Sequence, residues 1–161
     1  MYARIVKLCS AVFLASTLAL SSAAFAQSAS DDGVVKVKSA YPLDETIARL
    51  KKDIAAKGIR FFQEIDQHKL AAEAGIKVRP STLLVFGNPP LGTQFLKANP
   101  QAGLDWPVRL LVQQDENGEV WAVYTDFLWI ARRHGINGTD QASFKTASGV
   151  IASITSSVQA K

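Results

Sequence analysis

Asp66 and His68 are the first residues of this chain whose types and spacing suit catalysis. A carboxylate near an imidazole orients the ring and raises its basicity, as a general base or metal ligand requires. They fall where a strand should end. A local role accounts for them as well: Asp66 capping a short helix, His68 in its solvated first turn. That reading needs nothing beyond local hydrogen bonds and is preferred. His134, the other histidine, follows Arg132-Arg133 at a helix end, where cations meet free carbonyls. No His-x-x-x-His or similar spacing joins the histidines to carboxylates such as Asp126, so neither a metal nor another cofactor is expected.

A second group lies between Arg79 and Arg109. Gly87-Asn88-Pro89 and Gly92-Thr93 invite an anion-holding loop, since backbone amides at a helix start can cradle one. The Lys-Ser/Thr of a phosphate loop and the spacing of a dinucleotide fingerprint are both missing. A kinked connection explains each residue: Gly87 in an unusual backbone angle, Asn88 tying the turn, Thr93 capping the next helix. Arg79 and Arg109 stand at strand starts, where a guanidinium can grip a carboxylate, or form an ordinary salt bridge. Asp105, in the run Gly103 to Arg109, and Tyr124 complete the candidate ligand-binding set. The aromatics Trp106, Trp121, Tyr124 and Trp129 read as core or interface residues; several lining one cavity would suit an apolar ligand. No Gly-x-Ser-x-Gly elbow supports serine hydrolysis.

The elements that position these groups follow from periodicity. Val34 to Ser39 alternates as a strand with one wet face. Leu43, Ile47, Leu50 and Ile54 form one helical stripe, opened by Pro42 and stopped by Gly58. Ile59, Phe61 and Ile65 are expected on one face of the next strand, opposite Arg60, Glu64 and Asp66. His68 to Ala74 reads as a short helix, Pro80 to Phe86 as a buried strand, and Leu91 to Ala98 as a helix. Val108–Gln114 and Glu119–Thr125 flank Asn117-Gly118, the clearest hairpin signal in the chain. Asp126 is placed to cap a helix from Phe127 to His134. Phe144, Ala147, Ile151, Ile154 and Val158 share a face of a terminal helix that must dock on its own domain or on a partner.

With 161 residues, 48% of them hydrophobic, the chain can fill one core. Residues 1–26 read as a secretory signal peptide: basic Arg4 and Lys7, an apolar run, then Ala24-Phe25-Ala26 as the cleavage site. The apolar run falls short of the roughly 20 residues that span a bilayer. No stable membrane insertion is expected after cleavage, which also removes Cys9, the single cysteine. It leaves 16 of the 18 basic residues against 14 acidic ones, a spread charge that excludes a nucleic-acid stripe. Residues 27–33 read as a flexible tether, 34–138 as the domain, and 139–161 as the terminal helical segment. The expected location is the periplasm.

The order of elements is α+β, an antiparallel sheet with helices on one face. The run from Arg79 to Arg109, with Gly87-Asn88-Pro89 after a strand and then Gly92-Thr93, resembles the domain of unknown function 302 family. The resemblance implies a β-α-β(4)-α arrangement like one half of the TATA-binding protein, here followed by a C-terminal helix. Relatives commonly place His directly after the carboxylate at Asp66; this chain has Gln67 there and His68 one residue later. The sequence names no catalytic residue and leans against an enzyme. A small-ligand or protein binding module fits best. The alternatives are an enzyme using Asp66, His68 and Asn88, and a structural module that forms a homodimer.

Overall fold

The computed structural model describes residues 30–160. The expected leader, with Cys9 and Ala24-Phe25-Ala26, lies outside them. Five strands form one antiparallel sheet in the order β1-β5-β4-β3-β2. They are β1 (Val34–Lys38), β2 (Arg60–Asp66), β3 (Ser81–Gly87), β4 (Val108–Gln114) and β5 (Val120–Thr125). The helices are α1 (Leu43–Ala56), α2 (Gln67–Glu73), α3 (Pro89–Ala98), α4 (Phe127–Arg133) and α5 (Ala142–Ser156). The class is therefore the α+β arrangement expected.

Alternation sets the two faces of the sheet. Val37, Ala122, Val112 and Thr82 form one register row, all buried. The same face carries Val35, Leu84, Leu110 and Phe86, and beneath it sit Leu50 and Ile54 of α1 with Phe95 of α3. Lys36, Val123, Leu111, Leu83 and Ile65 make a row on the opposite face. The Asn117-Gly118 hairpin forms as expected: Gly118 takes φ 78°, and the Asp115 carboxylate accepts from the amides of Asn117 and Glu119 and from the Trp121 indole, each at 2.9 Å.

Strand β2 departs from the expected alternation. Its register shifts between Phe61 and Gln63: Phe61 pairs with Phe86, Gln63 with Val85 and Ile65 with Leu83. This bulge inserts one extra residue. It sends Ile65 to the face opposite Phe61 and leaves Glu64 on the helix side, where it meets Lys51 at 2.6 Å. The displaced Phe62 stands edge-on to Trp106, with centroids 6.4 Å apart.

Helix α5 packs on α3, α4 and α1. Phe144, Ile154 and Val158 are fully buried and Ile151 nearly so, with Phe144 stacked on Phe95 at 4.0 Å between centroids. At its far end Val158 O accepts from the Ala40 amide at 2.8 Å, so the helix spans the layer from α4 to the start of α1. At the other border, residues 30–33, expected as the end of a tether, form a turn. Gly33 N donates to Ser30 O at 2.8 Å, and the Trp129 indole covers Gly33 and donates to Asp31 O at 3.2 Å.

Candidate functional site

Gly87 ends β3, and the chain turns through Asn88 straight into α3, with Pro89 and Pro90 occupying its first turn. Proline fits there because those amides have no helical partner to lose. Asn88 is the residue before the helix; its side chain makes no cap bond, but its carbonyl accepts from Leu91 N at 3.1 Å and Gly92 N at 2.8 Å. Two expectations are corrected. Thr93 lies inside α3, donating to Pro89 O at 2.8 Å, and so caps nothing. Gly87 has no positive φ. Its constraint is steric: a Cβ would lie 3.1 Å from Trp106 Nε1 and 3.3 Å from Phe62.

The closer seat is Gly92, where a Cβ would stand 1.9 Å from Trp106 Nε1 and 2.2 Å from Cε2. The N–H side of the Trp106 indole thus lies against the backbone at the start of α3, and that N–H has no acceptor among the described residues. Behind it opens an apolar slot of about 30 Å³. Phe86 and Val108 of the sheet, Leu91 and Phe95 of α3, and Ile151 and Ile154 of α5 form its walls. Asn88 is the single polar side chain besides the indole N–H, and no ionisable group lines it. Toward solvent the slot shares Ile59, Asn88, Leu91 and Val150 with a wider groove of about 370 Å³ beside α5.

A polar cluster adjoins the slot. Val108 and Phe127 also line a second hollow, of about 20 Å³, with Asp105, Arg109 and Tyr124. Asp105 is buried, and its carboxylate contacts His134 Nε2 at 2.7 Å, Arg133 Nη1 at 3.1 and 3.2 Å, and Arg109 Nη2 at 3.4 Å. The Asn99 amide donates to His134 O at 3.0 Å. These bonds fasten the segment between α3 and β4 to the end of α4. The imidazole is only 6% exposed, so the arrangement is a clamp closed to a substrate. Tyr124 is half-buried beside it; burial pushes its phenol above the ordinary value, the Asp126 charge adds to this, and a hydrogen bond with Thr155 opposes it.

The candidate residues therefore separate into groups. Asn88 and Gly92 belong to the slot, and Asp105 and Tyr124 to the neighbouring hollow, with Arg109 as the partner of Asp105. Thr93 is exposed on α3. Asp66 caps α2, accepting from Lys69 N at 2.8 Å, while His68 Nδ1 lies 2.9 Å from Val78 O on an exposed surface. Arg79 borders a broad shallow depression near them. Asp66 pairs with Thr82 and Arg60 with Gly87. Six steps along β3 and into the turn, about 20 Å at ~3.3 Å each, thus separate the level of Asp66 from Asn88. The three do not converge.

An open antiparallel sheet backed by helices, with a slot free of ionisable groups at the β3–α3 turn, defines a class of small α+β modules. The family model for the domain of unknown function DUF302 matches residues 35–154, and the chain belongs to that family. The matched span takes in most of α5. In Brucella suis biovar 1 (strain 1330), a protein named fluoride-specific ion channel FluC 1 is 35% identical over 115 residues, covering 71% of this chain and 45% of that protein. The namesake from Brucella abortus biovar 1 (strain 9-941) is 35% identical over 115 residues, with 71% and 43% covered. The chain thus spans less than half the length of these relatives. The crystal structure of a conserved DUF302 protein from Bacillus stearothermophilus superposes with a TM-score of 0.72 at 18% identity, over 79% of this chain and 98% of that one. It shares the fold.

Proposed function

We propose that this protein is an exported binding module whose slot behind Trp106 receives the apolar part of a small ligand. One observation carries the reading: no side chain lining the slot can gain or lose a proton near neutral pH. Acid–base and nucleophilic catalysis need such groups within reach of the substrate. Apolar walls with one or two polar handles, here Asn88 and the Trp106 N–H, are the usual composition of a ligand pocket. A volume of about 30 Å³ holds only the end of a chain, so most of the ligand would lie in the groove outside. The relatives' channel activity is not carried over. The chain matches less than half of the length of those proteins. Export to the periplasm rests on Arg4, Lys7 and Ala24-Phe25-Ala26.

The test is mass spectrometry of the protein purified natively from the periplasmic fraction, compared with a Val150→Trp variant that plugs the slot at its mouth. We expect a mature chain beginning at Gln27 and a small apolar or amphiphilic molecule released on denaturation, absent from the variant. Equal yields from both proteins, or none from the wild type after challenge with short-chain alcohols and carboxylates, would refute the slot.

A further inference from the structure

The groove outside the slot contains a residue the fold does not require. Gly149 sits in the middle of α5, where glycine is unfavourable by roughly 0.5–1 kcal/mol relative to alanine. Its φ is not positive, and a Cβ built on it meets nothing within 4 Å. Neither turn geometry nor close packing accounts for it. Its effect is to leave the groove floor bare between Thr146, Val150 and Ser153.

What surrounds that bare floor is polar on one side and apolar on the other. Leu91, Ile59 and Val150 lead inward to the slot. Lys57, Asn88, Thr146 and Ser153 form the rim, and Lys57 is its sole charged residue. Neither the Asn88 amide nor the Ser153 hydroxyl has a hydrogen-bond partner among the described residues. Lys57 Nζ pairs with Asp53 Oδ2 at 2.8 Å, and an ammonium held by one carboxylate keeps further N–H groups to donate. Asp53 does not line the groove. Three groups that can donate thus stand around an open floor.

We infer that the groove takes the carboxylate head of a single-chain amphiphile, with Lys57, Asn88 and Ser153 as donors and the end of the alkyl chain in the slot. This rests on the slot reading above and adds the chemical class of the ligand. A carboxylate has no proton to offer and four lone-pair sites to fill, which a lysine and two free donors match. An alcohol of equal chain length would share the slot but gain little from Lys57.

The probes are octanoate and octan-1-ol, titrated calorimetrically into the full chain, Lys57→Gln, Gly149→Ala and Gly149→Leu. Octanoate should bind the wild type about fivefold more tightly than octanol, a margin suited to a part-exposed charge pair, and Lys57→Gln should remove that margin while leaving octanol unchanged. Gly149→Leu should weaken both probes about tenfold or more, since its side chain fills the floor, with Gly149→Ala in between. Thermal melts identify a variant that has failed to fold, and Gly149→Ala is expected to melt above the wild type. Equal affinities for the two probes in the wild type would overturn the carboxylate assignment and leave the slot standing. Unchanged binding in Gly149→Leu would overturn the groove. Should neither probe bind the wild type, the slot itself falls.

Discussion

Two helical glycines, Gly92 and Gly149, respond in opposite ways to the same added methyl group. In both, alanine should favour the helix by roughly 0.5–1 kcal/mol. At Gly149 nothing opposes the gain, because no atom lies within 4 Å of the new Cβ. At Gly92 the Cβ would fall 1.9, 2.2 and 2.6 Å from three atoms of the Trp106 ring. Such contacts require the ring to retreat by at least about 1 Å, and overpacking of this kind costs about 1–3 kcal/mol. The ring has little room to retreat, since Phe62 stands against it and Gly87 presses on the same indole. The helix gain is common to both, so the two variants should differ by the overpacking cost alone, about 1–3 kcal/mol, in urea denaturation. Gly149→Ala should melt a few degrees above the wild type and Gly92→Ala several degrees below, at roughly 3–6 °C per kcal/mol for a domain of this size. Trp106 emission should also shift in Gly92→Ala alone. If Gly92→Ala proves as stable as Gly149→Ala, the indole is not seated on α3 and the account of the slot fails with it.

Phe144→Ala should destabilise by about 3–5 kcal/mol, because the ring is fully buried and stacked on Phe95; truncation after Gly138 should abolish cooperative unfolding by circular dichroism, and a loss below 1 kcal/mol for Phe144→Ala would contradict the packing of α5. Asp105→Ala should cost about 3 kcal/mol by leaving His134 without its buried partner, and Asp105→Asn less; urea titrations of the two would show no difference if the clamp were idle. The Tyr124 phenol titrates higher in the folded protein, mainly through burial. The stability it contributes is complete below the unfolded value of about 10 and is lost as pH rises through the folded value. Tyr124→Phe should accordingly flatten the alkaline limb of the stability curve. Asp115 behaves in the opposite sense: the Trp121 indole bond, with smaller help from the amides, lowers it. Its contribution holds above the unfolded carboxylate range and disappears as pH falls through the lowered value, so Asp115→Asn should blunt acid sensitivity in the same titration.

Local signals in the sequence located most of the fold. The stripe Leu43-Ile47-Leu50-Ile54, the Asn117-Gly118 turn and the caps at Asp66 and Asp126 each depend on neighbours within a few residues, and each appears as read. What escaped reading depends on contacts between distant segments. The β2 bulge places Phe62 against Trp106, 44 residues onward, and a single-strand alternation pattern carries no trace of that partner. Gly87 before Asn88-Pro89 suggests an unusual backbone angle, because glycine tolerates one; its constraint is an indole ring arriving from another element. Asp105 was legible as a candidate, but its partners Arg133 and His134 lie 28 and 29 residues away. The slot is signalled only by the abundance of aromatics, and Gly149, off the apolar stripe of its helix, by nothing.

The bulge in β2 has a bearing on how the molecule behaves among its own copies. β2 is an outermost strand of the sheet, and its free side presents amides and carbonyls on which a further strand could grow. A uniform ladder would invite that growth. The shift between Phe61 and Gln63 breaks the spacing halfway along, so an incoming straight strand can match one half of the edge or the other but never both. At the opposite border, β1 carries the exposed Lys36 and Lys38 on the sheet's outer face, and lysines on an edge strand discourage pairing with another chain. Among the described residues the sheet ends at five strands, and each border carries a feature of the kind that discourages edge-to-edge pairing.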